Sequence, residues 1–122
     1  MSKTNFEYTG GIGAAQSGYL ECAIWASCAE DGTPMDEGAA ELAVETVADM
    51  RRECAEFCAA AGDLVADWNA AQVGHDFWLT RNHHGAGFWD RGKSTGDALT
   101  AMAHACGERS LYTGDDGLIY QL

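Results

Sequence analysis

The residues best suited to chemistry are concentrated between His75 and Gly92, a stretch with three of the four histidines, two arginines and two aspartates. Four of them are compatible with an acid–base or ligand-binding site: Asp76, Arg81, His84 and Asp90. A glycine-rich turn that carries a histidine exposes such groups. The chain has no nucleophile elbow, no phosphate-binding glycine loop and no metal-binding His–Glu motif. The cluster therefore specifies no reaction, and we predict no catalytic residue.

Zinc is the metal that histidine and cysteine side chains would suit best. The spacing is poor, because no Cys-x2-Cys pair is present and the adjacent His83 and His84 would point to opposite faces of a strand. Cys54 and Cys58 are four residues apart on a predicted helix, where an apolar neighbourhood favours packing. An odd number of cysteines, five in all, indicates reduced thiols. We predict no metal site and no cofactor.

Aromatic and apolar residues on both sides of an Asn-His-His-Gly turn predict a β-hairpin from about Phe77 to Trp89. The aromatic residues of its two strands would supply the core of the sheet: Phe77, Trp78, Phe88 and Trp89. Arg81 would then pair with Asp90 across the hairpin. We favour this structural interpretation over the acid–base cluster.

The first half of the chain is predicted to be helical after a flexible, glycine-rich arm over residues 1–16. Apolar residues at spacings of three and four predict an amphipathic helix over 17–28. Strong helix formers predict a longer helix over 37–61 and a short one over 63–69. One packing seam runs through both of them: Val47, Met50, Cys54, Phe57, Ala61, Leu64 and Trp68.

The second half continues with a predicted helix over 97–106 and a second hairpin from Leu111 to Tyr120. The turn of that hairpin contains an Asp-Gly pair, which tight turns favour. The predicted order is α-α-β-β-α-β-β. It indicates an α+β fold in which N-terminal helices pack on a small antiparallel sheet.

At 122 residues the chain is long enough for one domain with a single core, over 1–122. We divide it, after the arm, into an acidic helical half at 17–72 and a ββαββ half at 73–122. Residues 1–72 carry 13 acids and 3 bases, a net charge of −10, whereas residues 73–122 carry 6 acids and 4 bases, a net charge of −2. The acidic residues therefore lie mostly outside the aromatic stretch.

The total net charge of −12 argues against direct binding to nucleic acid or to an anionic membrane, since both need a basic footprint. It favours a basic partner. No stretch approaches the roughly 20 continuous apolar residues of a membrane span, and the N-terminus lacks the apolar core of a signal peptide. We expect a cytoplasmic protein.

A row of carboxylates follows one side of the predicted long helix. Residues spaced by four rise about 6 Å and rotate by about 40° at each step. The row consists of Glu37, Glu41, Glu45, Asp49 and Glu53, and the preceding turn adds Glu30, Asp31 and Asp36. Like charges at this spacing repel, so solubility alone would favour alternating signs. We predict that these eight residues bind a partner in place of nucleic-acid phosphates; the alternative is a solvated acidic surface.

Two motifs in the second half resemble a family of small uncharacterised proteins of phages and mobile elements. The pattern HDFWLTRN-HGAGFWDR covers His75–Arg91, and LY-GDDG-IY covers Leu111–Tyr120. One departure is His83, where the family pattern has glycine. The resemblance extends loosely to Gly18–Trp25. It implies a phage or mobile-element origin and no particular activity.

Small acidic phage proteins often block host defence complexes, and this analogy completes the leading prediction. We predict a non-enzymatic inhibitor that occupies a basic groove in the bacterial cytoplasm, with a CRISPR effector as first target and a restriction or recombination enzyme as second. Two alternatives stay open. One is an enzyme or ligand-binding protein that uses the His75–Asp90 segment, and the other is an assembly module that acts through aromatics such as Trp25 or Trp78.

Overall fold

The computed structural model describes residues 3–122, and most of them are helical. The helices are α1 (Asn5–Tyr8), α2 (Gly11–Ala26), α3 (Val44–Ala61), α4 (Ala70–Arg81) and α5 (Gly96–Ala105). A hairpin of β1 (Leu111–Thr113) and β2 (Ile119–Gln121) follows. Short 3-10 turns lie at Met35–Glu37, Gly62–Val65 and Phe88–Asp90. The predicted α+β class with a small antiparallel sheet is confirmed, but the predicted number of helices is wrong.

The segment predicted to form the first hairpin is instead α4 and the 3-10 turn that follows it. Asn69 caps α4 by accepting a hydrogen bond (3.1 Å) from the backbone N–H of Gln72. All residues from Asp76 to Arg81 are buried. A helix enclosed on all sides has no polar face, so its sequence lacks a 3.6-residue period and resembles a buried strand. This is why the pattern was misleading.

Helix α2 packs directly on α4 through small residues. Its buried side consists of residues spaced by three and four: Ala15, Gly18, Tyr19, Cys22 and Ala23. A Cβ atom on Gly18 would overlap the carbonyl of Ala71, and one on Gly74 would overlap the carbonyl of Ala15. The two glycines therefore set how closely the helix backbones approach each other.

The predicted flexible arm is also corrected by the structure. Its first two residues lie outside the described range, but α1 and the first turns of α2 occupy most of residues 3–16. Phe6 is buried, and its backbone N–H donates to the carbonyl of Ala66 (3.1 Å). Thr9 accepts a hydrogen bond (2.8 Å) from the N–H of Ala70. The glycines that suggested flexibility instead form the corner between two helices, where Gly10 and Gly11 have positive φ.

Helix α3 begins at Val44, seven residues later than predicted. The chain before it is extended and runs beside β2, because Ala43 donates to the carbonyl of Ile119 (2.9 Å) and Ile119 donates to the carbonyl of Glu41 (2.8 Å). Backbone groups bonded in this way are not free to start a helical turn. The predicted helix over 37–61 is therefore too long at its N-terminal end.

The C-terminal hairpin and α5 agree with their predictions. Strand β1 pairs antiparallel with β2, with Leu111 opposite Gln121 and Tyr112 opposite Tyr120. Gly117 in the turn has a φ of 81°, which glycine adopts without strain. Leu111 and Ile119 are buried beneath the hairpin, so one of its faces covers the helices.

A ladder of aromatic rings forms the centre of the core. Successive ring centroids are 5.1, 4.1, 5.7 and 5.4 Å apart in the order Tyr19, Phe77, Phe57, Phe88 and Trp68. The rings come from α2, α4, α3 and the two segments that flank α4, and such pairs add to the gain from burial. The hairpin sheet whose core the aromatic stretch was predicted to supply does not form, but Phe77, Trp78 and Phe88 are buried in the core between the helices, whereas Trp89 is half exposed.

Candidate functional site

Seven carboxylates between Glu30 and Asp49 form what we call the acidic strip: Glu30, Asp31, Asp36, Glu37, Glu41, Glu45 and Asp49. All seven residues are exposed. Within residues 3–122, the first six have no Lys, Arg or His partner, and Asp49 pairs with Arg52 at 3.1 Å. Within the described residues, the carboxylates of the strip are thus exposed and almost uncompensated.

The strip does not follow a single helix, as the sequence predicted. Its members lie in the turn after α2, in the 3-10 turn Met35–Glu37, in the extended segment beside β2 and in the first turns of α3. Only Glu45 and Asp49 of the strip belong to α3. Asp31 accepts a hydrogen bond (3.0 Å) from the N–H of Thr33, which lowers the pKa of its carboxyl. The prediction of a regular row of five carboxylates along one helix is therefore wrong, although the first four of these side chains are exposed.

Glu53, the eighth predicted partner-binding residue, faces the interior. Two steps of four residues rotate a helix position by about 80°, which carries Glu53 from the exposed side of α3 towards α4. Its Oε2 accepts from Arg81 Nη1 (3.1 Å) and from Arg109 Nε (3.2 Å). Its Oε1 accepts from Gln121 Nε2 (2.6 Å). Burial opposes ionisation, but these hydrogen bonds and the two guanidinium charges outweigh it and lower the pKa of Glu53.

The C-terminal hairpin brings two more exposed carboxylates to the strip, which the sequence analysis missed. Asp115 and Asp116 lie in its turn, and β2 runs beside the Glu41–Ala43 segment. Tyr120 donates a hydrogen bond to Asp116, which raises the pKa of Tyr120 to about 12, and the charge of Glu45 contributes. We call the strip together with Asp115 and Asp116 the acidic face. A charge count for each half of the sequence could not reveal the acidic face, since its residues come from both halves.

The buried arginine of the aromatic stretch is bound to four groups. Arg81 is 1% exposed, and it donates to Tyr19, to Glu53 and to the backbone carbonyls of Cys106 and Gly107 at 2.8–3.1 Å. The predicted pair with Asp90 is wrong, because no hairpin places the two opposite each other. Burial raises the pKa of the Tyr19 hydroxyl, although the charge of Arg81 opposes the change. Arg81 thus joins α2, α3, α4 and the segment after α5.

Asp76 is fully buried and is bound by a different arginine. Its two oxygens accept from Arg91 Nη2 (2.8 Å) and Nε (3.1 Å), and Gln72 also donates to it (2.9 Å). Asp90 lies 3.6 Å from the same guanidinium. Of the four residues considered for acid–base chemistry, Asp76 and Asp90 therefore share Arg91, whereas Arg81 belongs to the network around Glu53. The structure does not unite them with His84 in one site.

The remaining histidines and cysteines are dispersed. The ring centroids of His83 and His104 lie 4.4 Å apart with the planes tilted by 30°, and His83 has a φ of 57°. Cys54 and Cys58 are buried, as predicted, and the contact between the two thiols raises the pKa of Cys54. Within residues 3–122, no three His, Cys, Asp or Glu side chains are grouped as metal ligands.

Two cavities border the segment from His75 to Arg91. A cavity of about 480 Å³ lies between α3, α4 and α5 and is mostly apolar, with Glu53 and Arg81 in its wall. A smaller one of about 250 Å³ is lined by Trp78, Asn82 and His84, among others. Trp78 is buried, yet its indole N–H has no acceptor. An unsatisfied buried donor costs roughly 1–3 kcal/mol, so this one needs an explanation.

No protein-family model, curated protein or solved structure matches the chain. In the part of the chain from residue 3 onwards, no helix has both the length and the apolar character required to cross a bilayer.

Proposed function

We propose that this protein is a phage-type inhibitor whose acidic face binds the basic groove that a host defence protein uses for nucleic acid. A CRISPR effector in the cytoplasm of the bacterial host is the first candidate target, and a restriction or recombination enzyme is the second. The proposal involves no catalysis and no cofactor. The proposed interaction is between two proteins, is driven by opposite charges, and should weaken as the salt concentration rises.

The observation that carries the proposal is the uncompensated charge of the acidic strip. The chain has only 7 lysines and arginines, and three of these arginines serve pairs at or near the interior: Arg81, Arg91 and Arg109. Six strip carboxylates have no basic partner within the described residues. A surface of one sign attracts an opposite surface over distances set by the ionic strength. Repulsion among these carboxylates also destabilises the folded protein, so an acidic surface that only contacts solvent would bring no gain in stability.

The binding would replace phosphates by carboxylates. Glu45 and Asp49, one helical turn apart, present charges at intervals of about 6 Å along α3. Lysines and arginines that hold a nucleic-acid backbone are spaced to accept charges repeated at similar intervals. Such complementarity accelerates association and makes it sensitive to salt. The acidic face should therefore compete with nucleic acid for the same groove.

Charge reversal on the face, with a matched control, tests the proposal. One variant combines Glu37→Lys, Glu41→Lys and Glu45→Lys. The control combines Glu21→Lys, Asp63→Lys and Glu108→Lys, which are exposed residues outside the face. Each reversal adds two charges, so both variants change the net charge from −12 to about −6. The measurements are phage plating on bacteria with an active CRISPR effector, and binding to the purified effector at low and high salt.

We expect the face variant to lose binding and protection and the control to keep both. Duplex DNA should displace the wild-type protein from the effector. Equal loss in both variants would show that only net charge matters and would refute the acidic face as the site. Undiminished activity of the face variant would refute the proposal, and binding that DNA cannot displace would refute mimicry of phosphates. Circular dichroism of both variants confirms that each is folded.

A further inference from the structure

The smaller cavity beside α4, which we call the Trp78 cavity, has a volume of about 250 Å³. It lies between the end of α2, the end of α4 and the start of β1. Its wall consists of Ala26, Ser27, Cys28, Trp78, Asn82, His84, Arg109, Ser110 and Leu111. None of these residues belongs to the acidic face. A ligand here would be independent of the function proposed above.

The charge of this cavity is opposite to that of the molecule. None of the nine wall residues is acidic, although the chain has 19 acids against 7 Lys and Arg. Four other cavities each include at least one Asp or Glu in the wall. Arg109 places a guanidinium in the Trp78 cavity, and its one carboxylate partner, Glu53, is shared with Arg81. Two guanidinium groups around one carboxylate leave a net positive charge, which favours an anion.

Several hydrogen-bond donors in this wall have no partner within residues 3–122. Within the described residues, Arg109 donates through its backbone N–H to Asn82 and through its Nε to Glu53, so both Nη groups are free to donate. Ser110 and His84 are exposed and Ser27 is half-buried, so their polar groups are accessible from the cavity. The amide of Asn82, in contrast, is engaged by the backbone carbonyl of Trp78 and the backbone N–H of Arg109. The wall thus offers the two Nη groups of Arg109 together with hydroxyl and imidazole groups that can donate to a bound oxygen.

The indole of Trp78 forms part of the wall of the cavity. The residue is 2% exposed, and its ring is held edge-on against Tyr19 at 5.6 Å. Its N–H has no acceptor, whereas the N–H of Trp68 donates to Thr95 (2.9 Å). Because the indole nitrogen is itself closed off from solvent, the ring contributes an apolar side to the cavity and can report on its occupancy.

We propose that the Trp78 cavity binds a small oxyanion, a metabolite with a carboxylate or phosphate group. Arg109 supplies the charge, since a planar guanidinium matches both groups with two parallel hydrogen bonds. Ser27, Ser110 and His84 surround the remaining oxygens. The volume is just below the usual range of about 300–1,000 Å³ for ligand pockets, so the ligand has few atoms beyond the anionic group.

Titration of the intact protein with inorganic phosphate and, separately, with succinate tests the proposal. Sodium chloride keeps the ionic strength constant, so that general screening does not change. Isothermal calorimetry gives the affinity, and the indole N–H signals in ¹H–¹⁵N spectra locate the site, with Trp78→Phe to identify the signal. We expect saturable binding of at least one anion and a shift of the Trp78 signal. The anion that saturates identifies phosphate or carboxylate as the preferred group.

A matched pair of variants decides whether binding is specific to this cavity. Ser110→Asp adds a carboxylate to the wall, and Ser94→Asp adds the same charge at another exposed serine, outside it. We expect Kd to rise about tenfold or more for Ser110→Asp and to change little for Ser94→Asp. Equal weakening in both variants, or no effect of Ser110→Asp, would overturn the proposal. So would the absence of saturation by either anion up to about 50 mM.

Discussion

Glu45 and Glu53 lie two turns apart on α3, and they represent two regions that use carboxylates in opposite ways. Glu45 belongs to the acidic strip, where the side chains are exposed and mostly unpaired. Glu53 belongs to the interior, where two arginines and a glutamine bind it. The interior charges hold helices together, whereas Asp49 is the one member of the strip that forms an ion pair within residues 3–122. If the proposed function is right, stability and partner binding are assigned to separate regions of one helix.

The largest effect should follow from removing the central cation of the interior. Arg81→Met keeps the length of the side chain but removes one of the three donors to Glu53 and the guanidinium that donates to Tyr19 and to two backbone carbonyls. We expect a loss of about 3–5 kcal/mol in the free energy of unfolding, since a buried charge loses its partner. Urea unfolding at neutral pH measures it. Arg51→Met, at an exposed arginine without an ion pair, should change stability by less than about 0.5 kcal/mol. Similar values for both variants would contradict the comparison.

The contact between α2 and α4 should give the next largest effect. A Cβ on Gly74 would overlap the carbonyl of Ala15 and lie 2.7 Å from the backbone nitrogen of Tyr19. The helices must separate to accept it, so Gly74→Ala should cost about 3 kcal/mol. Gly13→Ala is the control, because nothing lies within 4 Å of a Cβ there. Alanine should stabilise that helical position by up to about 1 kcal/mol. Thermal unfolding should therefore show shifts of opposite sign, and two shifts of the same sign would refute this packing.

These positions also show what the sequence could reveal. The seam of α3 was predictable, since Met50, Cys54, Phe57 and Ala61 recur at three and four and are buried. Helix α5 and the C-terminal hairpin were predictable for similar local reasons. Helix α4 was not, because burial on all sides removes the periodicity that distinguishes a helix from a strand. The local sequence pattern predicts a helix or strand well where one side of that element is exposed to solvent and the other side is buried.

The candidate site likewise has one part that the sequence could predict and one part that it could not. The exposure of Glu30 to Asp49 follows from composition and charge, which are visible in the sequence. The interior position of Glu53 depends on Arg81 and Arg109, which are 28 and 56 residues away. The acidic turn of the hairpin joins the strip only because β2 pairs with the segment before α3. Such long-range pairings have no local signature, so spacing alone could not predict them.

A pH-dependent effect at Glu53 should be smaller than the loss of Arg81. Glu53→Gln keeps the shape but removes the charge, and we expect a cost of about 1–2 kcal/mol at pH 7. The folded protein holds the pKa of Glu53 below the value of 4.5 expected for the unfolded chain. Its stabilisation is therefore complete well above pH 4.5 and is lost as the pH falls through the lower folded value. Urea unfolding from pH 7 to pH 3 should show a difference between wild type and variant that is constant at first and then shrinks. A stability difference between wild type and Glu53→Gln that grows as the pH falls would contradict this prediction.

The smallest effect should come from the exposed ion pairs at the border of the strip. Arg52 lies 3.1 Å from Asp49 and 3.6 Å from Glu56, and all three side chains are more than half exposed. Water and salt screen such pairs, so Arg52→Ala should cost no more than about 0.5 kcal/mol. Binding to a basic partner should become tighter instead, because Asp49 then loses its compensating charge. A large loss of stability, or weaker binding, would show that the strip is held in place by its pairs and is not a free charged surface.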